Sequence, residues 1–312
     1  MTAGELLRAA GPALLALLAA WAFDRLTARR GFDPPGFAAP WRRALAFLAV
    51  AFVLWAGVFS PLGELGRDST LDLAHLGPGR LFLLHELMIG AILTWFLAGF
   101  AGLRQRPAPA LEIPAASLEI PAPLEIPAAP PPRLSLGRQL AVQLGLATPS
   151  VGREVGLGLV LGIGAWIAVI VAVALVALFI VYGLGAEGAL PKQPPALIPW
   201  LAALPIGVRL LLALSAGVVE EGFFRGLLQP RVGIALSTGM FVLAHTAYGQ
   251  PFLLIGVGIL SLIYAFLVRW RRSIWAAMTA HALFDGVQLL IVIPAALKMI
   301  GGKLPPAWLG LF

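Results

Sequence analysis

The 312-residue chain has no cysteine and little charge: 12% of its residues are Asp, Glu, Lys or Arg, against about 25% in an ordinary soluble domain. The missing cysteine excludes a disulfide framework, a thiolate nucleophile and a Cys-ligated zinc site. The low charge excludes a disordered chain, which combines high charge with low hydrophobicity. What is present is apolar. Hydrophobic residues make up 60% of the chain, and the mean hydropathy is +0.91. A soluble fold cannot hide so much apolar surface, whereas a bilayer solvates it. The net charge of +7 does not describe a nucleic-acid surface, because the basic residues sit in short clusters between apolar runs. That placement reads as membrane topology.

Eight apolar segments are expected, at roughly 9–23, 44–60, 81–103, 154–183, 197–219, 232–248, 252–268 and 274–297. The expected fold class is therefore all-α, a polytopic membrane helix bundle of about eight transmembrane helices. A span needs ~20 residues, so the first, second, sixth and seventh segments are short. The fourth carries Gly158 and Gly162 in GxxxG spacing, which permits close helix contact; chance placement in a glycine-rich chain is the plain alternative. The first segment is read as an uncleaved span with its N-terminus outside, not as a signal peptide. Only Arg8 precedes it, and Arg25, Arg29, Arg30, Arg42 and Arg43 follow. Positive charge after a span holds that side in the cytoplasm. With eight spans and an outer N-terminus, fifteen of the 22 basic residues fall inside, six fall outside, and Arg209 lies within a span. The Ala-, Gly- and Arg-rich composition suits a bacterial inner membrane.

Residues 104–140 differ. They repeat Leu-Glu-Ile-Pro-Ala at Leu111, Leu118 and Leu124, and proline this dense favours extended polyproline segments over helix. Three regions are expected: an N-terminal three-span region at 1–103, a Pro-rich cytoplasmic linker at 104–150 and a C-terminal core at 151–312.

Ionisable groups inside a membrane cost roughly 2.5–3.5 kcal/mol each on insertion scales. Most segments avoid them, but three do not. One contains Glu220, Glu221 and Arg225, the next Phe241 and His245, the last His281 and Asp285. On a helix, Glu220 and Glu221 point about 100° apart, so they cannot serve one site equally. Glu221 and Arg225 stand i,i+4 with the acid first, the favoured order for an ion pair, which leaves Glu220 for a cavity. Phe241 and His245 share a face, as do His281 and Asp285. Counted from the arginines that mark the inner helix ends, these groups lie ~13–21 Å deep at 1.5 Å per residue, a shared level reached from the cytoplasmic half. A carboxylate with two imidazoles at one depth suits water activation: Glu220 as base, His245 holding the water, His281 donating to an oxyanion. Glu220, His245, His281 and Asp285 are equally a hard zinc-ligand set, although no HExxH is present.

The three pieces Glu220-Glu221-x-x-x-Arg225, Phe241-x-x-x-His245 and His281-x-x-x-Asp285 resemble the motifs of the CPBP family. This family comprises type II CAAX prenyl endopeptidases and bacterial bacteriocin-processing and Abi-type relatives. The resemblance covers about residues 150–295, most closely 213–290, and extends to Gly222–Gln229 and Ser273–Ala276. It implies an intramembrane endopeptidase acting on a membrane-associated protein or peptide, with the bilayer as its other partner and no nucleic acid. By this resemblance Glu220 activates water with His245, while His281 and Asp285 form the oxyanion side. Glu221 and Arg225 hold the site's shape, and Phe241 packs. No cofactor is expected on a glutamate-type reading. Zinc on Glu220, His245, His281 and Asp285 is the alternative, since the family was first taken as metal-dependent. An ionised Asp285 cannot donate to an oxyanion, so it is protonated, orients His281 or binds a metal. For a bacterial chain, a leader peptide, membrane anchor or sorting tail is a more natural substrate than a prenylated protein.

Two other classes fit parts of the pattern. A proton-coupled transporter also places carboxylates and histidines mid-membrane, but the motif set has no internal repeat. A non-catalytic scaffold or immunity protein could keep the fold without the chemistry. Glu220, Glu221 and Arg225 alone could be an ion-pair network locking helices. His85 and Glu86, at the start of the third segment, are read as interfacial.

Overall fold

A computed structural model describes residues 3–64, 78–102, 134–186, 197–246 and 251–299. The Leu-Glu-Ile-Pro-Ala repeats lie outside these residues. Among the described residues all regular structure is helical. The helices are α1 (Ala3–Arg29), α2 (Pro40–Leu62), α3 (Pro78–Phe100), α4 (Leu136–Gln143) and α5 (Val151–Gly183). They continue as α6 (Leu197–Ala203), α7 (Ile206–Val232), α8 (Ile234–Ala244), α9 (Pro251–Arg271) and α10 (Trp275–Met299).

Among the described residues five helices are long and apolar enough to cross a membrane: α2, α3, α5, α9 and α10. The protein is an integral membrane helix bundle. The segment expected at 197–219 is not one straight span but the pair α6 and α7, bent by 117°. Pro205 stands at the break with φ −52° and ψ 143°; its ring and missing N–H cannot continue a helix across the junction. Counted as one span, the pair brings the number to six. The segment expected at 232–248 is the 11-residue α8, too short to cross alone and packed against α7 and α9.

Small residues set how closely the helices approach. Helix α10 is held between α5 and α7. A methyl group added at Gly158 would come 2.6 Å from the Ala276 carbonyl oxygen, and one at Gly162 would come 3.0 Å from the Ala280 Cα. The GxxxG pair is thus a true seam, facing small residues on α10. On the other side of α10, a methyl at Gly217 of α7 would meet the Met278 carbonyl oxygen at 2.6 Å and the Ala282 nitrogen at 2.7 Å. Near the ends of α5 and α9, Glu154 accepts from Arg271 at 2.5 and 3.1 Å. The far face of α5 looks outward, with Val160 69% and Leu175 60% exposed, as a lipid-facing surface requires.

From Ala216 to Leu228, α7 is wound as a π-helix. Such windings are rare, occur mostly as single-turn bulges within α-helices, and are frequent at functional sites. The end of α7 is capped from within: buried Arg231 donates to the Leu227 carbonyl at 2.7 Å and to Gln143 Oε1 at 3.0 Å, and its guanidinium lies 4.2 Å from the Trp95 ring centroid. These contacts tie α7 to α3 and α4. The N-terminal helices α1, α2 and α3 pack together, and α3 lies directly along the π-wound part of α7.

Candidate functional site

The site is built on the π-wound stretch of α7. Glu220 and Glu221 diverge there, as their adjacency requires. Glu221 turns into the bundle and its side chain is 0% exposed, whereas that of Glu220 is 14% exposed. Each therefore has its own set of partners.

Glu221 faces Arg225 Nε at 3.3 Å through Oε2 and His281 Nδ1 at 3.0 Å through Oε1. Arg225 is itself fully buried. It donates to Ser261 Oγ at 3.0 Å and to Ser237 Oγ at 3.5 Å, and it lies 4.8 Å from the Phe241 ring centroid. Ser237 in turn donates to the Phe224 carbonyl at 2.7 Å. One charged pair thus ties α7, α8, α9 and α10 together. A buried charge left without its partner is strongly unfavourable, so the pair holds these helices in a fixed relation.

Glu220 faces the other way. Its Oε1 lies 3.3 Å from His85 Nε2 on α3, and its Oε2 lies 4.0 Å from His245 Nε2. Oε2 is buried and has no hydrogen-bond partner among the described residues. His245 is at the end of α8, where the helix stops. Its ring stacks on Phe241 at 4.5 Å and its Nδ1 is 2.7 Å from the Phe241 carbonyl oxygen. A backbone acceptor at Nδ1 places a proton there, so in the neutral ring Nε2 is the lone-pair nitrogen toward Glu220. Phe241 is therefore a platform on which the imidazole rests.

His281 sits one turn before Asp285 on α10. Its Nδ1 faces Glu221, and its Nε2 lies 3.5 Å from Asp285 Oδ2. Tyr264 of α9 stacks on the ring at 5.3 Å, and Phe241 meets it edge-on at 6.0 Å. Asp285 keeps 29% of its side chain exposed while His281 keeps 4%, so the carboxylate is the water-facing member of the pair.

The structure thus brings the sequence-derived residues into two connected groups. Glu220 and His245 make one; Glu221, Arg225, His281 and Asp285 make the other; Phe241 lies between them. Three of the chain's four histidines take part. Read as interfacial, His85 proves to be 6% exposed and turned inward, while Glu86 beside it is exposed. His85 lies on the face of α3 that packs on α7, so its environment is helix and not headgroup. Ser215 and Tyr264 also went unseen, because contacts between helices leave no trace in local spacing.

The zinc-ligand reading fits poorly. Among the described residues no three His, Asp or Glu side chains are grouped to hold a metal ion. His281 Nδ1 is taken by the Glu221 carboxylate at 3.0 Å, and Nε2 faces Asp285 at 3.5 Å. A cavity of about 420 Å³ at the arginine-bearing end reaches Arg225, and its wall includes Gln229, Arg269 and Arg272 but not Glu220, His245 or His281.

Residues 200–287 match the family described as type II CAAX prenyl endopeptidase Rce1-like. The similarity to that family lies in this segment. The segment contains Glu220, Glu221, Arg225, Phe241, His245, His281 and Asp285, but not His85. Over 79 residues the chain is also 32% identical to the uncharacterized protein YpbD of Bacillus subtilis (strain 168), which covers 25% of this chain and 42% of YpbD. The chain thus spans about two fifths of that relative's length. No solved structure matches.

Proposed function

We propose that the protein is an intramembrane endopeptidase that hydrolyses a peptide bond of a membrane-associated protein or peptide, using water activated by Glu220. The supporting observation is the division of labour between the two glutamates. Glu221 is engaged at 3.0 and 3.3 Å in a buried network with His281 and Arg225, while Glu220 Oε2 has no hydrogen-bond partner among the described residues and faces an imidazole nitrogen 4.0 Å away. That separation suits one bridging water.

In the proposed reaction, water donates one proton to Glu220 Oε2 while its oxygen bonds to the scissile carbonyl carbon. His245 Nε2 accepts the water's second hydrogen bond and aims its lone pair. The carbonyl oxygen becomes an oxyanion, stabilised by Nε2–H of His281. That group is only loosely engaged by Asp285, at 3.5 Å. Glu220 then gives its proton to the amide nitrogen, and the C–N bond breaks to leave an acid and an amine. Asp285 orients the His281 ring. No metal is required for any of these steps, in keeping with the donor geometry. The Rce1-like segment supports peptidase chemistry over transport. We further propose a bacterial inner-membrane location, with the N- and C-termini outside and the site in the cytoplasmic half.

In liposomes, Glu220→Ala and His245→Ala are expected to lower turnover of a confirmed peptide substrate by ~10²-fold or more with little change in melting temperature. Wild-type turnover in Glu220→Ala would exclude Glu220 as the base. Turnover is also expected to survive chelation; stoichiometric bound zinc whose removal stops cleavage would reverse the metal-free proposal.

A further inference from the structure

Glu220 has a neighbour that lies outside the Rce1-like segment. His85, on α3, is separated from it by 135 positions in the chain, yet its Nε2 is 3.3 Å from Glu220 Oε1. The other ring nitrogen, Nδ1, is 3.0 Å from Ser215 Oγ, and Ser215 Oγ donates to the Leu212 carbonyl at 3.0 Å. Ser215, one residue before the π-wound stretch, and Glu220 within it both reach the same imidazole. The ring is buried and held at both ends.

The chemistry of the contact decides what it does. An ionised carboxylate oxygen can only accept, so the hydrogen in the contact with Glu220 Oε1 is carried by His85 Nε2. Ser215, whose one proton goes to the Leu212 carbonyl, abuts the other edge of the ring. An N–H on Oε1 can stay in place whether Glu220 is ionised or carries a proton on Oε2, because Oε1 is an acceptor in both states. The two carboxylate oxygens thereby differ: Oε1 is fixed by α3, and Oε2 is presented toward His245.

We propose that His85 is a positioning residue for Glu220, locking Oε1 so that Oε2 alone meets the water, with Ser215 steadying the far edge of the ring. This rests on the peptidase reading above. It also gives the N-terminal helices a part in the chemistry. The Rce1-like segment alone does not carry a complete site, because α3 supplies the group that orients its carboxylate. A misplacement of about 1 Å in a reacting group can cost ~100-fold in rate, which sets the scale of the expected effect.

The test compares wild type, Glu220→Gln, His85→Ala, His85→Gln and Ser215→Ala as full-length proteins in liposomes, with kcat and KM for one cleaved peptide and melting temperatures in detergent. Cleavage by wild type that is lost in Glu220→Gln secures the reading itself. His85→Ala is then expected to lower kcat ~100-fold with KM within about twofold. His85→Gln, whose side-chain amide can still donate to Oε1, is expected to recover at least tenfold of that loss at a melting temperature like that of His85→Ala. Ser215→Ala is expected to fall between wild type and His85→Ala. A His85→Ala protein with wild-type kcat overturns the proposal and leaves the peptidase reading intact. So does a kcat loss that tracks melting temperature across the variants without recovery in His85→Gln. A wild-type protein that cleaves nothing overturns both.

Discussion

The two adjacent glutamates show how one position can decide a residue's role. Glu221→Ala would leave Arg225 and His281 buried around an absent carboxylate. Breaking a buried ion pair from one side costs about 3–5 kcal/mol, so the variant is expected to melt well below wild type in detergent. Glu220→Gln removes a charge that is partly exposed, and its melting temperature is expected to stay near that of wild type. Equal destabilisation in the two would contradict the division between structural and reactive carboxylate. The Glu221–Arg225 pair was legible in the sequence because i,i+4 spacing places both groups on one helix face, and the opposed direction of Glu220 followed from adjacency. The contact of His281 with Glu221 was not legible, nor was that of His85 with Glu220. Each joins separate helices, and nothing local in the sequence records a distance across a helix interface.

At the level of elements, glycine fixes the position of α10. Gly217→Ala would drive a methyl group against backbone atoms of Met278 and Ala282, and backbone cannot swing aside as a side chain can. The substitution is expected to push α7 from α10, separate Glu221 from His281, and lower both melting temperature and turnover. Gly158→Ala is expected to destabilise through the same crowding on α5. Gly164→Ala has nothing within 4 Å of the new methyl; it is expected to be neutral or to gain up to about 1 kcal/mol from helix propensity. A destabilised Gly164→Ala, or an undisturbed Gly217→Ala, would show that close approach is not what seats these helices. The GxxxG spacing on α5 was visible in the sequence, whereas Gly217 was hidden in an unremarkable apolar run. The break between α6 and α7 was missed for a related reason. Average hydropathy runs smoothly through Pro205, although the proline itself carried the signal.

For the whole molecule, the bundle class was legible because apolar composition and run length leave few alternatives. The span number was less so: α8 is apolar enough to resemble a span but too short to be one, and its apolar residues pack on α7 and α9. The proposed orientation has a direct check that the lack of cysteine makes clean. A single Ala147→Cys, at an exposed position just after α4, is expected to react with a membrane-impermeant maleimide only after inner-membrane vesicles are turned inside out. Labelling in right-side-out vesicles would invert the topology. The most direct measurement of the central claim compares the termini of all membrane proteins in cells carrying wild-type protein or Glu220→Gln. Peptidase chemistry at Glu220 predicts at least one new terminus that depends on the intact carboxylate and is regenerated when purified wild-type protein meets the uncut substrate in liposomes. Identical sets of termini in the two strains, or equal cleavage by Glu220→Gln in liposomes, would contradict it.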